Sequence, residues 1–314
     1  MTDDAASFEA VVRRVDARGC EVVADGGGEP LFAGVRGVVH RFSREERSPL
    51  APGDRVVVST RAGGATVQRV LPRRSRFRRE SSSGGKPQVV AANVDLVVAL
   101  LPAAEPAPNP RLADRILAAA AAEEVEGAVV VSKADLAPEE EVEGWLSLYR
   151  GAGVPAFAAS VPGERGLGEL EALLRGRTSV LVGPSGAGKS TILKRILGVV
   201  GAAVRIGVVN ARTGKGRHTT TAAQLLPLPC GGWVVDTPGV RTLALPEMRP
   251  ADLALLFPDL ARLVPCRFKD CAHLVEPGCA AEAAALSGAL DMRRLESYRA
   301  ILLQIREDAD RRAW

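Results

Sequence analysis

Residues 179–191, SVLVGPSGAGKST, narrow the folds open to this chain more than any other segment. An apolar strand runs into Gly183, Pro184, Ser185, Gly186, Ala187, Gly188, Lys189 and Ser190, a full match to GxxxxGK[ST], and from Thr191 a helical pattern follows. Glycines let such a loop wrap so that its N–H groups point at phosphate oxygens, and the helix N-terminus adds the positive end of its dipole. Lys189 is expected to reach the β and γ phosphates and Ser190 to ligate Mg²⁺. A loop of this kind needs a sheet to present it, and the flanks supply one. The wholly apolar runs VDLVVALL, AVVVS, TSVLVG and GWVVD alternate with the helical segments RLADRILAAAAAEE, VEGWLSLYR and STILKRILG. Continuous apolar strands interleaved with helices indicate a parallel sheet covered on both faces, here from about residue 90 to 246.

A second magnesium-side group is expected at the end of a neighbouring strand, and WVVDTPG places Asp236 there. Gly239 can offer its backbone N–H to the γ-phosphate and move when that phosphate leaves. Between the two motifs lies GKGRHTTT, residues 214–221, in which Thr220 or Thr221 can complete the magnesium shell and sense the γ-phosphate. The water-orienting glutamine that many GTPases carry after DTxG is Val240 here, so intrinsic turnover is expected to be slow. His218 is the nearest polar substitute, with a switch-ordering role as much open to it as a catalytic one.

P-loops bind ATP as well as GTP, so base choice needs another site. AVVVSKADL delivers Ser132, Lys133, Ala134 and Asp135 at the end of a strand. A carboxylate can accept both the N1–H and the 2-amino hydrogens of guanine, a pairing adenine cannot give. Asp135 therefore reads guanine, while the Lys133 stem packs along base or ribose and braces the P-loop. Ser132 replaces the asparagine of the usual NKxD and has a single hydroxyl to offer. In AFAASVPGERGL, Ser160 and the adjacent backbone are placed near the base edge. KxD precedes the P-loop and DTPG follows it, the reverse of the usual order for the first pair, as circular permutation of one sheet produces.

CRFKDCAHLVEPGC spaces Cys266, Cys271, His273 and Cys279 within one short segment. Three thiolates and an imidazole make a tetrahedral Cys3His set suited to one structural Zn²⁺, with no position left for a reacting water. Cys20 and Cys230 stand apart from this cluster and read as buried or incidental; five cysteines in all do not make a disulfide framework in a chain of this size. Beyond the cluster, Leu295, Tyr298, Leu302, Ile305 and Ala309 recur at helical spacing, which predicts a terminal helix packed on its own domain.

Ahead of the α/β region, VVRRV, CEVVA, GVRGVV, DRVVVST and ATVQRVL are short strand-like runs separated by turn residues, as in a small antiparallel barrel. Residues 73–86 are Arg-, Ser- and Gly-rich and read as a flexible linker; the five arginines of RRSRFRR can meet a phosphate backbone or simply be solvated. The net charge of +4 is modest, no run of eighteen apolar residues occurs, and MTDDAASFEA lacks the features of a secretory signal. A cytoplasmic monomer without a membrane partner is expected. Three modules result: barrel and basic linker over 1–86, permuted nucleotide-binding core over 87–246, and helical zinc module over 247–314.

SKAD before GPSGAGKST, then GRHTTT, DTPG and CRFKDCAHLVEPGC, together resemble the RsgA (YjeQ) family of circularly permuted GTPases. The likeness extends over nearly the whole chain, including QVVAANVDLVVAL and an N-terminal segment similar to that family's OB-fold. It implies a GTP-hydrolysing factor for late maturation of the 30S ribosomal subunit. The barrel and zinc module would contact 16S rRNA, the small subunit would stimulate slow hydrolysis, and release of the assembly factor RbfA would be promoted. Two other readings compete: an ATP-dependent P-loop kinase or ATPase, against which Lys133 and Asp135 argue, and a non-enzymatic RNA-binding module with a vestigial nucleotide site.

Overall fold

The computed structural model describes residues 6–35, 50–61, 64–79, 88–198, 223–236, 245 and 248–313. The chain divides into two compact units, Met1–Leu96 with Glu171–Leu181 and Ser190–Ala244, and Val97–Leu170 with Val182–Lys189 and Leu245–Trp314. In the first unit, β1 (Ala6–Val15), β2 (Gly19–Ala24), β3 (Leu31–Val35), β4 (Arg55–Arg61) and β5 (Gly64–Val70) run in the order β1-β2-β3-β5-β4. A further β1–β4 pairing closes the cylinder, and β3–β5 is its parallel pair. This is the five-stranded barrel expected from the alternating runs, and closure leaves no long free edge. Alternate side chains fill it: Val12, Cys20, Val22, Val56, Val58 and Val67 are all buried inside.

The basic stretch after the barrel departs from the flexible-linker expectation. β6 (Arg76–Arg79) pairs antiparallel with β7 (Gln88–Ala92), so an ordered hairpin strand stands in the middle of residues 73–86. Arg73 is not a solvated cation either. Its guanidinium grips the wholly buried Asp54 with two bonds of 2.7 and 2.8 Å. Asp54 also accepts from the Ala51 N–H at 2.7 Å, so the buried charge is matched on both oxygens. Arg74 meets Asp95 at 3.0 Å and Arg79 holds Gln88 at 2.7 Å. Partners 19 residues away for Arg73 and 21 for Arg74 explain why composition alone suggested a linker. The turn before β4 docks on the end of β7: Gly53 has φ +90°, and a Cβ there would fall 2.1 Å from the Ala92 carbonyl oxygen.

In the second unit, β8 (Leu96–Pro102), β9 (Glu126–Ser132) and β10 (Ala156–Ala159) stand in the order β10-β9-β8. Their apolar runs are buried along nearly their whole length, as strands covered on both faces require. α1 (Pro110–Ala121) follows β8; Pro110 opens it and the Asn109 side chain accepts from the Leu112 N–H at 3.0 Å. α2 (Glu139–Gly151) follows β9 with three glutamates in its first turn, where the helix dipole favours them. α3 (Leu167–Leu174) leads to β11 (Thr178–Val182), which enters the P-loop and α4 (Lys189–Ile196). β12 (Gln224–Pro227) and β13 (Trp233–Asp236) complete the elements of the core. Within the first unit β11 pairs β13 in parallel, β13 pairs β12 antiparallel, and β12 pairs with the far end of β1 at Arg14 and Gln224.

The C-terminal segment folds into α5 (Pro250–Leu255), α6 (Pro258–Ala261), α7 (Ala280–Leu286) and α8 (Met292–Ala313). The predicted apolar stripe of α8 is buried at Leu295, Tyr298 and Leu302 and half-buried at Ile305, whereas Ala309 is exposed because the packing ends one turn earlier. Phe257 meets Tyr298 edge-on, with ring centroids 5.5 Å apart. α8 also lies against α1. Arg294, which is 2% exposed, bonds the buried Asp114 of α1 and forks onto Asp259 of α6 at 2.8 and 3.0 Å. Among the described residues, no helix is long and apolar enough to cross a membrane.

Candidate functional site

The carboxyl ends of the parallel strands are where an open α/β sheet gathers a ligand site. Ala103, just past β8, donates its N–H to the Ser132 carbonyl at the end of β9 at 2.8 Å, so these two strand ends lie side by side. The P-loop meets the same edge. A Cβ on Gly183 would lie 2.9 Å from the Leu100 carbonyl oxygen, and Gly186 and Gly188 hold φ of +83° and +84°. Only glycine takes these conformations without strain, and they are what turn successive backbone N–H groups inward. Ala187 is buried and donates to Pro184 at 3.1 Å, while Ser185, Gly186, Ser190 and Thr191 face solvent. Lys189 opens α4.

The SKAD segment is fastened to this loop. Ser132 is wholly buried and its hydroxyl donates to the Ala187 carbonyl at 2.8 Å, so its one donor is committed to the P-loop. Lys133 sits in the left-handed region, φ +54°, which turns its stem towards Gly188, and its Nζ donates to the Glu105 carbonyl. Ala134 is buried at the head of a short 3-10 turn that carries Asp135. Asp135 accepts from the Ser160 hydroxyl at 2.6 Å, and that hydroxyl in turn accepts from the Gly163 N–H at 3.1 Å. Ser160 is thus brought directly to the Asp135 carboxylate. Asp236 is buried at the end of β13. His218, Thr220, Thr221 and Gly239 lie outside the described residues.

Sequence reasoning missed two contributors. Glu105 supplies the carbonyl that receives Lys133, from the loop after β8. Arg165 pairs its backbone with Ser160 in both directions at 3.0 Å and forks onto Glu139, both bonds 2.6 Å. A GERG run gives no sign of either contact.

The Cys3His set forms one cluster: the ligand atoms of Cys266, Cys271, His273 and Cys279 all lie within 4.8 Å of one another. His273 Nδ1 stands 3.5, 3.7 and 3.4 Å from the sulfurs of Cys266, Cys271 and Cys279. A tetrahedral zinc with bonds of ordinary length separates a sulfur and a nitrogen ligand by about 3.6 Å, so the donors fit that ion. Without a metal, burial pushes the Cys271 thiol up to about 12 and holds His273 below its ordinary value. Around the set, Glu276 accepts three backbone N–H groups, from Ala272, Leu274 and Val275, at 2.9 to 3.1 Å. Burial alone would raise its carboxyl, but these donors hold it below the usual range. Arg299 pins the His273 carbonyl at 2.7 Å, and Tyr298 donates to the Ala272 carbonyl at 3.1 Å.

Comparison with known proteins agrees with this arrangement. Residues 70–246 match the family model described as RsgA GTPase. Two proteins named small ribosomal subunit biogenesis GTPase RsgA are each 38% identical to the chain: that of Moorella thermoacetica over 84% of this chain and 88% of its own length, that of Chlorobaculum parvum over 94% and 97%. The Streptomyces coelicolor protein of the same name is 40% identical over 93% of this chain and 78% of its own. The crystal structure of YjeQ from Thermotoga maritima superimposes with a TM-score of 0.76 at 27% identity, covering 96% of this chain and 99% of that one. YloQ, described as a circularly permuted GTPase, shares the fold with a TM-score of 0.73. From the motif order, the barrel, the Cys3His cluster and these likenesses, the chain belongs to the RsgA GTPase family.

Proposed function

We propose that the chain is a GTP-hydrolysing assembly factor acting late in maturation of the 30S ribosomal subunit, in the cytoplasm and as a monomer. Its parts are a barrel with a basic segment over 1–86, the permuted GTPase core over 87–246 and the zinc module over 247–314. The observation that carries the guanine assignment is the Asp135 carboxylate, presented at the sheet edge and oriented by Ser160, on a segment tied to the P-loop by Ser132. A carboxylate there accepts the N1–H and 2-amino hydrogens of guanine and repels the adenine edge. The backbone of Gly183, Pro184, Ser185, Gly186, Ala187 and Gly188 cradles the phosphates, and Lys189 binds the β and γ groups. Mg²⁺, held by Ser190 and Asp236, neutralises phosphate charge when bound. Thr220 or Thr221 and Gly239 sense the γ-phosphate, and His218 orders the switch or orients water. Zn²⁺ in the Cys3His cluster is structural, since four protein ligands leave no position for substrate.

Relatives named for small-subunit biogenesis support the ribosomal setting. The barrel architecture suits RNA, which such folds bind along an electrostatic groove. In this reading 16S rRNA is the partner of the barrel and the zinc module, and the hydrolytic step promotes release of RbfA. The test is GTP turnover by the purified chain with and without isolated small subunits. Slow hydrolysis alone and a rise of at least about tenfold with subunits is expected. Turnover unchanged by subunits, with RNA binding retained, would replace this reading with that of a passive RNA-binding module.

A further inference from the structure

We propose that Arg165 and Glu139 form an outer latch that positions the guanine-reading pair Asp135 and Ser160, and so sets the affinity of the site for guanine nucleotides. The inference rests on the guanine assignment above. Two loops carry the reading atoms: one follows β9 and holds Asp135, the other follows β10 and holds Ser160. They touch at an inner point, the Ser160 hydroxyl on Asp135 Oδ1 at 2.6 Å. A single hydroxyl bond leaves the orientation of a carboxylate incompletely fixed. The second loop is closed by the paired backbones of Ser160 and Arg165 and by Gly163 donating to the Ser160 hydroxyl. From its far side the Arg165 guanidinium forks onto both oxygens of Glu139, the first residue of α2 and four positions beyond Asp135.

The two loops are therefore stapled at an inner and an outer point, and Asp135 and Ser160 lie between chain segments that cannot part without breaking the fork. Gly166 closes the second loop against its own strand. It has φ +69°, and a Cβ there would fall 1.9 Å from the Ala158 carbonyl oxygen, so only glycine fits this close approach. The planar guanidinium matches a carboxylate along two parallel bonds, which constrains orientation as well as distance. Neither residue is placed to touch nucleotide; both act by holding the carboxylate in the plane that guanine must meet, which lowers the ordering cost of binding.

Both partners are solvent-accessible, 40% and 65% at the side chain, so the effect is moderate. Removal of an exposed pair corresponds to about two- to fivefold in an equilibrium constant. The test measures KM and kcat for GTP, with nucleotide binding, in Arg165→Glu, in Glu139→Arg and in the double exchange. Arg165→Glu sets two carboxylates face to face, with Glu143 of α2 nearby, and is expected to raise KM for GTP about fivefold or more while kcat changes less than twofold. The double exchange is expected to restore KM. A stability loss alone would leave KM of the folded fraction unchanged, and thermal melts of each variant separate the two effects. Unchanged KM in Arg165→Glu, or failure of the exchange to restore it, would overturn the latch. Asp135→Asn run alongside separates the two levels: if it does not shift preference from GTP towards XTP, the guanine assignment itself fails.

Discussion

Ser132 stands where an asparagine is usual, and its burial decides what it does. Its only donor goes to the Ala187 carbonyl, 55 positions along the chain, so it fastens the SKAD strand to the P-loop and has no donor left for a ligand. Removing it leaves a P-loop carbonyl without that partner, a cost of about 1 kcal/mol. Ser132→Ala is therefore expected to weaken GTP and GDP binding alike, by about fivefold, with the preference for guanine over adenine kept. Titration with fluorescent analogues of both nucleotides reads this, and selective loss of guanine preference would mean that Ser132 reads the base after all. At this scale the motifs were legible because each is local: GxxxxGK[ST], KxD and the Cys3His spacing are short segments whose chemistry needs no fold. What Ser132, Arg165 and Arg73 do was not legible, because each finds its partner across loops or strands that the sequence does not show to be adjacent.

Among the elements, α8 is the one that fixes the C-terminal module to the core, and it does so through a buried charge. Arg294 faces Asp114 and Asp259, with Phe257 and Tyr149 beside it. Burial holds the Asp114 carboxyl above its usual range, an effect that Arg294 opposes. Arg294→Met removes the cation that these two acids share and is expected to cost about 3–5 kcal/mol, read as a drop in the urea midpoint. A loss below about 1 kcal/mol would show that the acids find solvent. The Cys3His cluster is the module's other fastening. Elemental analysis should find one zinc per chain, and Cys271→Ala should lose it together with the near-ultraviolet signal of the Tyr298 environment, which packs on His273. A metal-free wild type with the module intact would contradict the zinc assignment. The barrel strands and α8 were readable as periodic patterns; the β6–β7 hairpin was not, because four residues rich in arginine carry no alternation that distinguishes a strand from a linker.

In the molecule as a whole, each compact unit draws on three separate stretches of the chain. The strand after the switch segment, β12, is paired to β1 of the barrel, with Arg13 Nε on the Leu225 carbonyl at 3.4 Å, and both lie in the first unit. The P-loop, the SKAD strand and the zinc module lie in the second. The reversed motif order was plain in the sequence, and it correctly pointed to one permuted sheet. The pairing of β1 with β12 could not be foreseen, since strand partners separated by about 210 residues leave no local trace. β12 thus joins the core strand β13 to the barrel strand β1 within the first unit. Under the proposed function, nucleotide state governs association with the small subunit. The most direct test is co-sedimentation of the chain with isolated small subunits, in a non-hydrolysable GTP analogue and in GDP, at one fixed salt concentration. Retention with the analogue and release with GDP are expected, a difference of at least about tenfold in apparent affinity. Equal retention in both nucleotides would contradict it.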